Sequence, residues 1–106
     1  MKVVRTSDIK AQESTSKIFR GKVSIQPLFG DSEDELRAAV VNFSPGAVNV
    51  FHTHTSDQIL YVTEGKGIVA TENEEVTVTP GTIIFIPAGE KHWHGATKDT
   101  AFSHIF

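Results

Sequence analysis

A chain of 106 residues with 39% hydrophobic content, seven of them phenylalanines, has room for one domain built on one core. The net charge of −3, without any stripe of Lys or Arg, argues against a nucleic-acid partner, and no apolar run approaches the roughly 20 residues of a membrane helix. Cysteine is absent, which excludes disulfides, thiolate catalysis and thiolate metal sites together.

Residues 1–18 read as a polar, mixed arm in which Val3 and Val4 can form a short edge strand. The start is basic but has no hydrophobic stretch, so no signal peptide is expected and a cytoplasmic location is the default. Residues 19–29 alternate, with Phe19, Gly21, Val23, Ile25 and Pro27 on one parity, and predict one half-buried strand. The acidic run at 30–35 breaks that pattern and reads as a solvated turn rather than a cation site.

Residues 36–43 predict a central strand with Ala39, Val41 and Phe43 sharing a face, and Pro45-Gly46 turns the chain. Side chains two apart on a strand point the same way, so Val50, His52 and His54 are expected on one face. Gln58 follows a short polar break and opens a strand over 58–63 with Leu60 and Val62 on its own side. Residues 64–67, rich in glycine, read as a hairpin turn, and 68–71 and 76–79 as a further hairpin. The apolar run at 82–86 suits a strand buried on both faces. Residues 87–91 then turn into His92, Trp93 and His94, and 100–106 close the chain with Phe102, His104 and Phe106 on one parity. About nine short strands, with turns every eight to twelve residues and no helical period, predict an all-β barrel or sandwich.

All five histidines lie beyond residue 51. His52 and His54 can grip one ion, Gln58 adds an amide oxygen, and His92 arrives from a later segment. Ligands drawn from three segments need a fold that makes them converge, as the inward face of a small barrel does.

The spacing Gly46-x5-His52-Thr53-His54-x3-Gln58-x6-Gly65, followed by Gly81-x5-Pro87-x-Gly89-x2-His92, resembles the paired motifs of the cupin superfamily. The resemblance implies a single-domain double-stranded β-helix, a jelly-roll-like barrel, over residues 19–106. It also implies one divalent metal, usually held by three His and one Glu. Carried onto this chain, the ligands are His52, His54, Gln58 and His92. Two positions depart from the pattern: Gln58 stands where Glu is usual, and Ala96 where the second motif usually closes with Asn. An amide in place of a carboxylate leaves the ligand shell neutral, which sharpens the ion as a Lewis acid and loosens its hold.

Residues 19–29, 52–58 and 89–104 look, more narrowly, like bacterial cupins of the manganese-dependent hydroxynitrile lyase type, and like cupins that accompany carboxymuconolactone decarboxylases. That likeness implies manganese or iron, with zinc or nickel as alternatives, since imidazole and amide donors do not choose among these metals. It implies carbon–carbon cleavage of a small molecule such as a cyanohydrin, a homodimer, and His104 as proton acceptor. His104 reads equally as a buried structural histidine, and His94 either as a second candidate base that touches substrate or as a core residue. Ala39, Val41, Phe43, Val50, Leu60 and Phe102 are the expected pocket walls, while Trp93, of opposite parity, suits packing or a subunit contact. An iron- or manganese-dependent dioxygenase and a non-catalytic metal- or small-molecule-binding module stand as the alternatives to a lyase.

Overall fold

Short alternating segments, each too small to bury its apolar face alone, have to stack two deep, and the chain does so as two antiparallel sheets. The computed structural model describes residues 1–30 and 36–106; the acidic run expected to form a solvated turn lies, at 31–35, outside the described residues. The strands are β1 (Gln12–Glu13), β2 (Phe19–Arg20), β3 (Val23–Phe29), β4 (Ala38–Phe43), β5 (Val48–Asn49), β6 (Gln58–Gly65), β7 (Gly67–Thr71), β8 (Glu75–Val78), β9 (Ile83–Ile86), β10 (His92–Ala96) and β11 (Phe102–Ile105). One sheet runs β1-β3-β4-β11-β6-β9 and the other β2-β5-β10-β7-β8. No helix among the described residues is long and apolar enough to cross a membrane.

The inner faces meet in one apolar cluster built from Val23, Val41, Phe43, Leu60, Val62, Val69, Val78, Ile86, Ala96 and Phe102. Phe43 anchors it, with its ring centre 5.8 Å from that of Phe102 and 5.9 Å from that of Phe19, which it meets edge to face. The parity expected for residues 36–43 therefore holds, since Ala39, Val41 and Phe43 are all buried.

Four expectations change. Residues 19–29 are not one strand: the chain leaves the five-stranded sheet after Arg20 and enters the six-stranded one at Val23. Gly21 makes the corner at φ +95°, a conformation that L side chains rarely adopt, and a Cβ there would lie 2.8 Å from that of Ala47. Residues 64–67 are likewise a corner between sheets and not a hairpin, because β6 pairs with β11 and β9 while β7 pairs with β10 and β8. Val3 and Val4 form no strand; the arm pairs instead through Gln12 and Glu13 against Ile25 and Ser24. The Gln26 amide ties it down further, donating to the carbonyls of Thr6 (3.0 Å) and Ile9 (2.9 Å). The fourth change concerns 82–86. Here β9 is an edge strand, with Ile84 and Ile86 turned inward but Ile83 and Phe85 exposed.

The corner at Gly65 yields a stability test. Gly65 and Gly81 both have positive φ (75° and 90°), but a Cβ at Gly65 would strike the Ala101 carbonyl, whereas at Gly81 it would meet nothing within 4 Å. Gly81→Ala should cost about 1 kcal/mol from backbone strain alone. Gly65→Ala should cost about 3 kcal/mol or more, because backbone must also move. Urea unfolding of the two variants compares them directly; equal losses would mean that the Ala101 backbone yields freely.

Candidate metal centre

The site begins with a two-residue bridge. After β5 the chain bends at Phe51, and His52 then pairs with His92, each N–H donating to the other's carbonyl at 2.9 and 3.0 Å. Gly89 N–H donates to the His54 carbonyl at 2.9 Å, and Ala88 N–H to the Asp57 carboxylate at 2.9 Å. Gln58, at the head of β6, sits opposite Ile86 of β9. Backbone bonds thus draw the 52–58 loop and the 86–92 turn together at one end of the two sheets.

One ring nitrogen from each of His52, His54 and His92 lies within 4.8 Å of the other two, close enough for one ion to gather all three. Ring centroids are 4.4 Å apart for His52 and His92, 4.8 Å for His52 and His54, and 5.3 Å for His54 and His92. The tautomers of two rings follow from their partners. His52 Nδ1 lies 2.7 Å from the Val50 carbonyl and His92 Nδ1 2.8 Å from the Glu90 carbonyl. A carbonyl only accepts, so both rings are protonated at Nδ1 and keep the Nε2 lone pair, the arrangement in which metal-binding histidines are found.

The fit to a metal rests on what is left over. Nε2 of His54, Nε2 of His92 and Oε1 of Gln58 are buried with no hydrogen-bond partner. Buried polar atoms are normally satisfied, so three such orphans at three expected ligand positions suit a group that supplies their missing partner. Burial, then the neighbouring His52 and His92, lower the pKa of His54. Burial also lowers that of His92, against the Glu90 carbonyl, which favours the charged ring. Neutral rings are the form that binds metal.

Two more histidines stand behind the triad. The His94 ring is nearly parallel to that of His92 at 5.8 Å, and the His104 ring lies 4.8 Å beyond His94. Burial holds His94 well below the usual imidazole range, with smaller contributions from His104, His92, His52 and His54. Burial takes His104 down to about 4, although the Ile105 backbone favours the charged ring. Neither His104 nitrogen makes a well-formed hydrogen bond, and Nδ1 of His94 is also unpartnered. Among the described residues, every buried side-chain polar atom without a partner belongs to His54, Gln58, His92, His94 or His104.

The expected walls Ala39, Val41, Phe43, Leu60 and Phe102 are buried, and Phe43 lies 5.8 Å from His104 and 5.7 Å from His94. Val50 differs: it is only half-buried, because the bend at Phe51 breaks the alternation counted through 48–54, and its carbonyl serves His52. The inward residue of β5 is Asn49, which sequence reasoning passed over. Its Oδ1 accepts from His94 N–H at 2.8 Å, and its amide nitrogen lies 3.2 Å from His94 Nε2. An amide in an otherwise apolar strand just ahead of the ligands was the available signal.

Comparisons with known proteins agree with this geometry. A model of the cupin domain matches residues 39–106. The chain is 38% identical over 107 residues to an (R)-mandelonitrile lyase of Granulicella tundricola, covering 99% of this chain and 82% of that one. Among solved structures, a cupin-like protein of Thermotoga maritima superposes with a TM-score of 0.83 at 33% identity, covering 88% of this chain and 72% of that one. A polyketide cyclase of Streptomyces resistomycificus superposes at 0.86 with 25% identity, over 99% and 76% of the two chains.

His104 makes the metal-free protein sensitive to acid. Its folded pKa of about 4 lies below the ordinary 6.5, so below pH 6.5 the unfolded chain takes up a proton that the folded one refuses. Stability is therefore whole above pH 6.5 and falls as pH drops toward 4, by about 3 kcal/mol for this one group. Urea midpoints of chelator-treated protein should fall between pH 7 and pH 4.5, and fall distinctly less in His104→Phe. Identical pH dependence in the two proteins would mean that His104 protonates freely in the fold.

Proposed function

Because the chain belongs to the cupin family, we propose that it is a divalent-metal-dependent lyase that breaks a carbon–carbon bond beside a hydroxyl, as in a cyanohydrin, with His104 as general base. The observation that carries this reading is the buried set of unpartnered polar atoms: three suited to one ion and, behind them across His94, the neutral imidazole of His104 with nothing to bind. Similarity to a mandelonitrile lyase over nearly the whole chain supports the reaction class. We assign manganese or iron to the site, with zinc or nickel able to compete, since three imidazoles and an amide oxygen accept all four.

His52, His54, Gln58 and His92 would hold the ion, which when bound supplies Lewis acidity that lowers the pKa of a substrate hydroxyl. His104 is deprotonated throughout the neutral range, so a ring lone pair is open to take the hydroxyl proton. The oxygen electron pair then closes to a carbonyl while the carbon–carbon bond breaks and its pair leaves with cyanide. Returning the proton gives an aldehyde and hydrogen cyanide. Ala39, Val41, Phe43 and Leu60, all buried, would supply the apolar wall that an aryl or alkyl substituent needs.

Manganese-loaded protein incubated with mandelonitrile should release benzaldehyde, at background in His92→Ala and about 10²–10⁴-fold more slowly in His104→Ala. No benzaldehyde above the His92→Ala control rejects the lyase, and oxygen uptake with catechols or diketones would place the protein among oxygen-using cupins. Gln58→Glu should hold the metal more firmly against a chelator and turn over more slowly, because a carboxylate shares the ion's charge. Unchanged retention would remove Gln58 from the ligand set.

We also propose that two copies pair through the outer face of β6 and β9. Ile59 and Phe85 face each other there, as do Tyr61 and Ile83, and the four are 45–65% exposed. This uncharged patch at a sheet edge lets two chains of net charge −3 meet away from their charges. Trp93, half-buried on β10, is a weaker candidate for the contact. Light scattering should give the mass of a dimer for the wild type and of a monomer for Phe85→Lys; a wild-type monomer at micromolar concentration excludes the interface.

A further inference from the structure

Asn49 joins its neighbour His94 by two contacts, and together they fix a proton. The His94 backbone N–H can only donate, so the Asn49 atom 2.8 Å from it is Oδ1. The other terminal atom is therefore NH2, which can only donate, and it lies 3.2 Å from His94 Nε2. His94 Nε2 must accept, and a neutral ring that accepts at Nε2 carries its proton on Nδ1. That Nδ1 is buried and has no protein partner.

His52 and His92 share the same tautomer by a different route. Carbonyls hold their Nδ1 protons and leave Nε2 open toward an ion. The His94 ring lies 6.0 Å from His52 and 5.8 Å from His92, but the ring nitrogens gathered for one ion are those of His52, His54 and His92, and His94 Nε2 is engaged elsewhere. The Asn49 amide occupies it.

We propose that Asn49 is a positioning residue: by donating to Nε2 of His94 it fixes that ring's tautomer and leaves its Nδ1–H as a hydrogen-bond donor to an acceptor atom of the substrate bound beside His104. The two inner histidines then have separate tasks, His104 taking a proton and His94 offering one. Which substrate atom meets the donor rests on the lyase reading; the tautomer itself does not.

The test is nitrogen-resolved NMR of ¹⁵N-labelled full-length protein, metal-free and loaded with zinc, which is diamagnetic. Wild-type His94 should show a protonated Nδ1 and a bare Nε2 in both samples. Asn49→Asp keeps the acceptor for the His94 backbone N–H but replaces the NH2 donor with an oxygen, so Nε2 should become protonated and its resonance move upfield. A wild-type His94 protonated at Nε2, an Nε2 perturbed by zinc as a ligand would be, or an Nε2 signal unmoved in Asn49→Asp overturns the proposal. The wild-type spectra decide the matter even if the variant folds poorly. Benzaldehyde release from mandelonitrile, run on the manganese-loaded protein, separates the two readings. The NMR signature without turnover leaves Asn49 in its role and removes the lyase, while turnover without the signature removes Asn49 alone.

Discussion

Burying an imidazole or amide atom without a hydrogen-bond partner costs about 1–3 kcal/mol, and the described residues hold six such atoms, all on His54, Gln58, His92, His94 and His104. A fold of 106 residues has little stability to spare. Phe43 packs against His94 and His104 and Phe102 against His104, and the paired bonds between His52 and His92 join the segments that carry the outer atoms. A ligand that meets several of these atoms at once recovers part of that cost on binding, so the cluster is unfavourable to the empty fold and favourable to the occupied one.

Proton placement is encoded close to each ring. His52 and His92 both bond the carbonyl two residues before them, Val50 and Glu90, so each ligand's own stretch of backbone selects its tautomer. His94 has no such carbonyl and draws instead on Asn49 of the adjoining strand β5. Local bends thus prepare the triad, while a contact across the sheet sets the ring behind it. Val48 of β5 pairs with Gly95 of β10, which sets Asn49 alongside His94 for that contact.

How far the sequence revealed this can be followed residue by residue. Alternation and turn residues disclosed the strands, and the His spacing disclosed the cluster, because both depend on near neighbours. Changes of sheet were hidden: the parity of 19–29 runs on unbroken through Gly21, and a glycine pair at 65 and 67 looks the same whether the next strand folds back or crosses over. Val50 was placed inward by counting through Phe51, where the strand had already ended. Asn49 escaped for the same reason, as its role exists only once β10 lies beside it. The run at 82–86 was apolar enough for a double-sided core, but apolarity records aversion to water without naming what excludes it, and here Ile83 and Phe85 stay exposed on the outer face.

Charge gives the last connection between sequence and chemistry. The buried polar residues among those described are Asn49, His92, His94, Ser103 and His104, with no carboxylate among them. Burial keeps His94 and His104 neutral at ordinary pH. A divalent ion entering between His52, His54, His92 and Gln58 would therefore face no negative side chain among the buried residues described. A neutral interior disfavours holding the cation and favours holding an anion against it, since each charge is poorly screened there. Glu at position 58 would reverse both tendencies. On the proposed lyase reading, an amide at 58 suits a reaction that develops negative charge on an oxygen or a leaving group and must then let the product go.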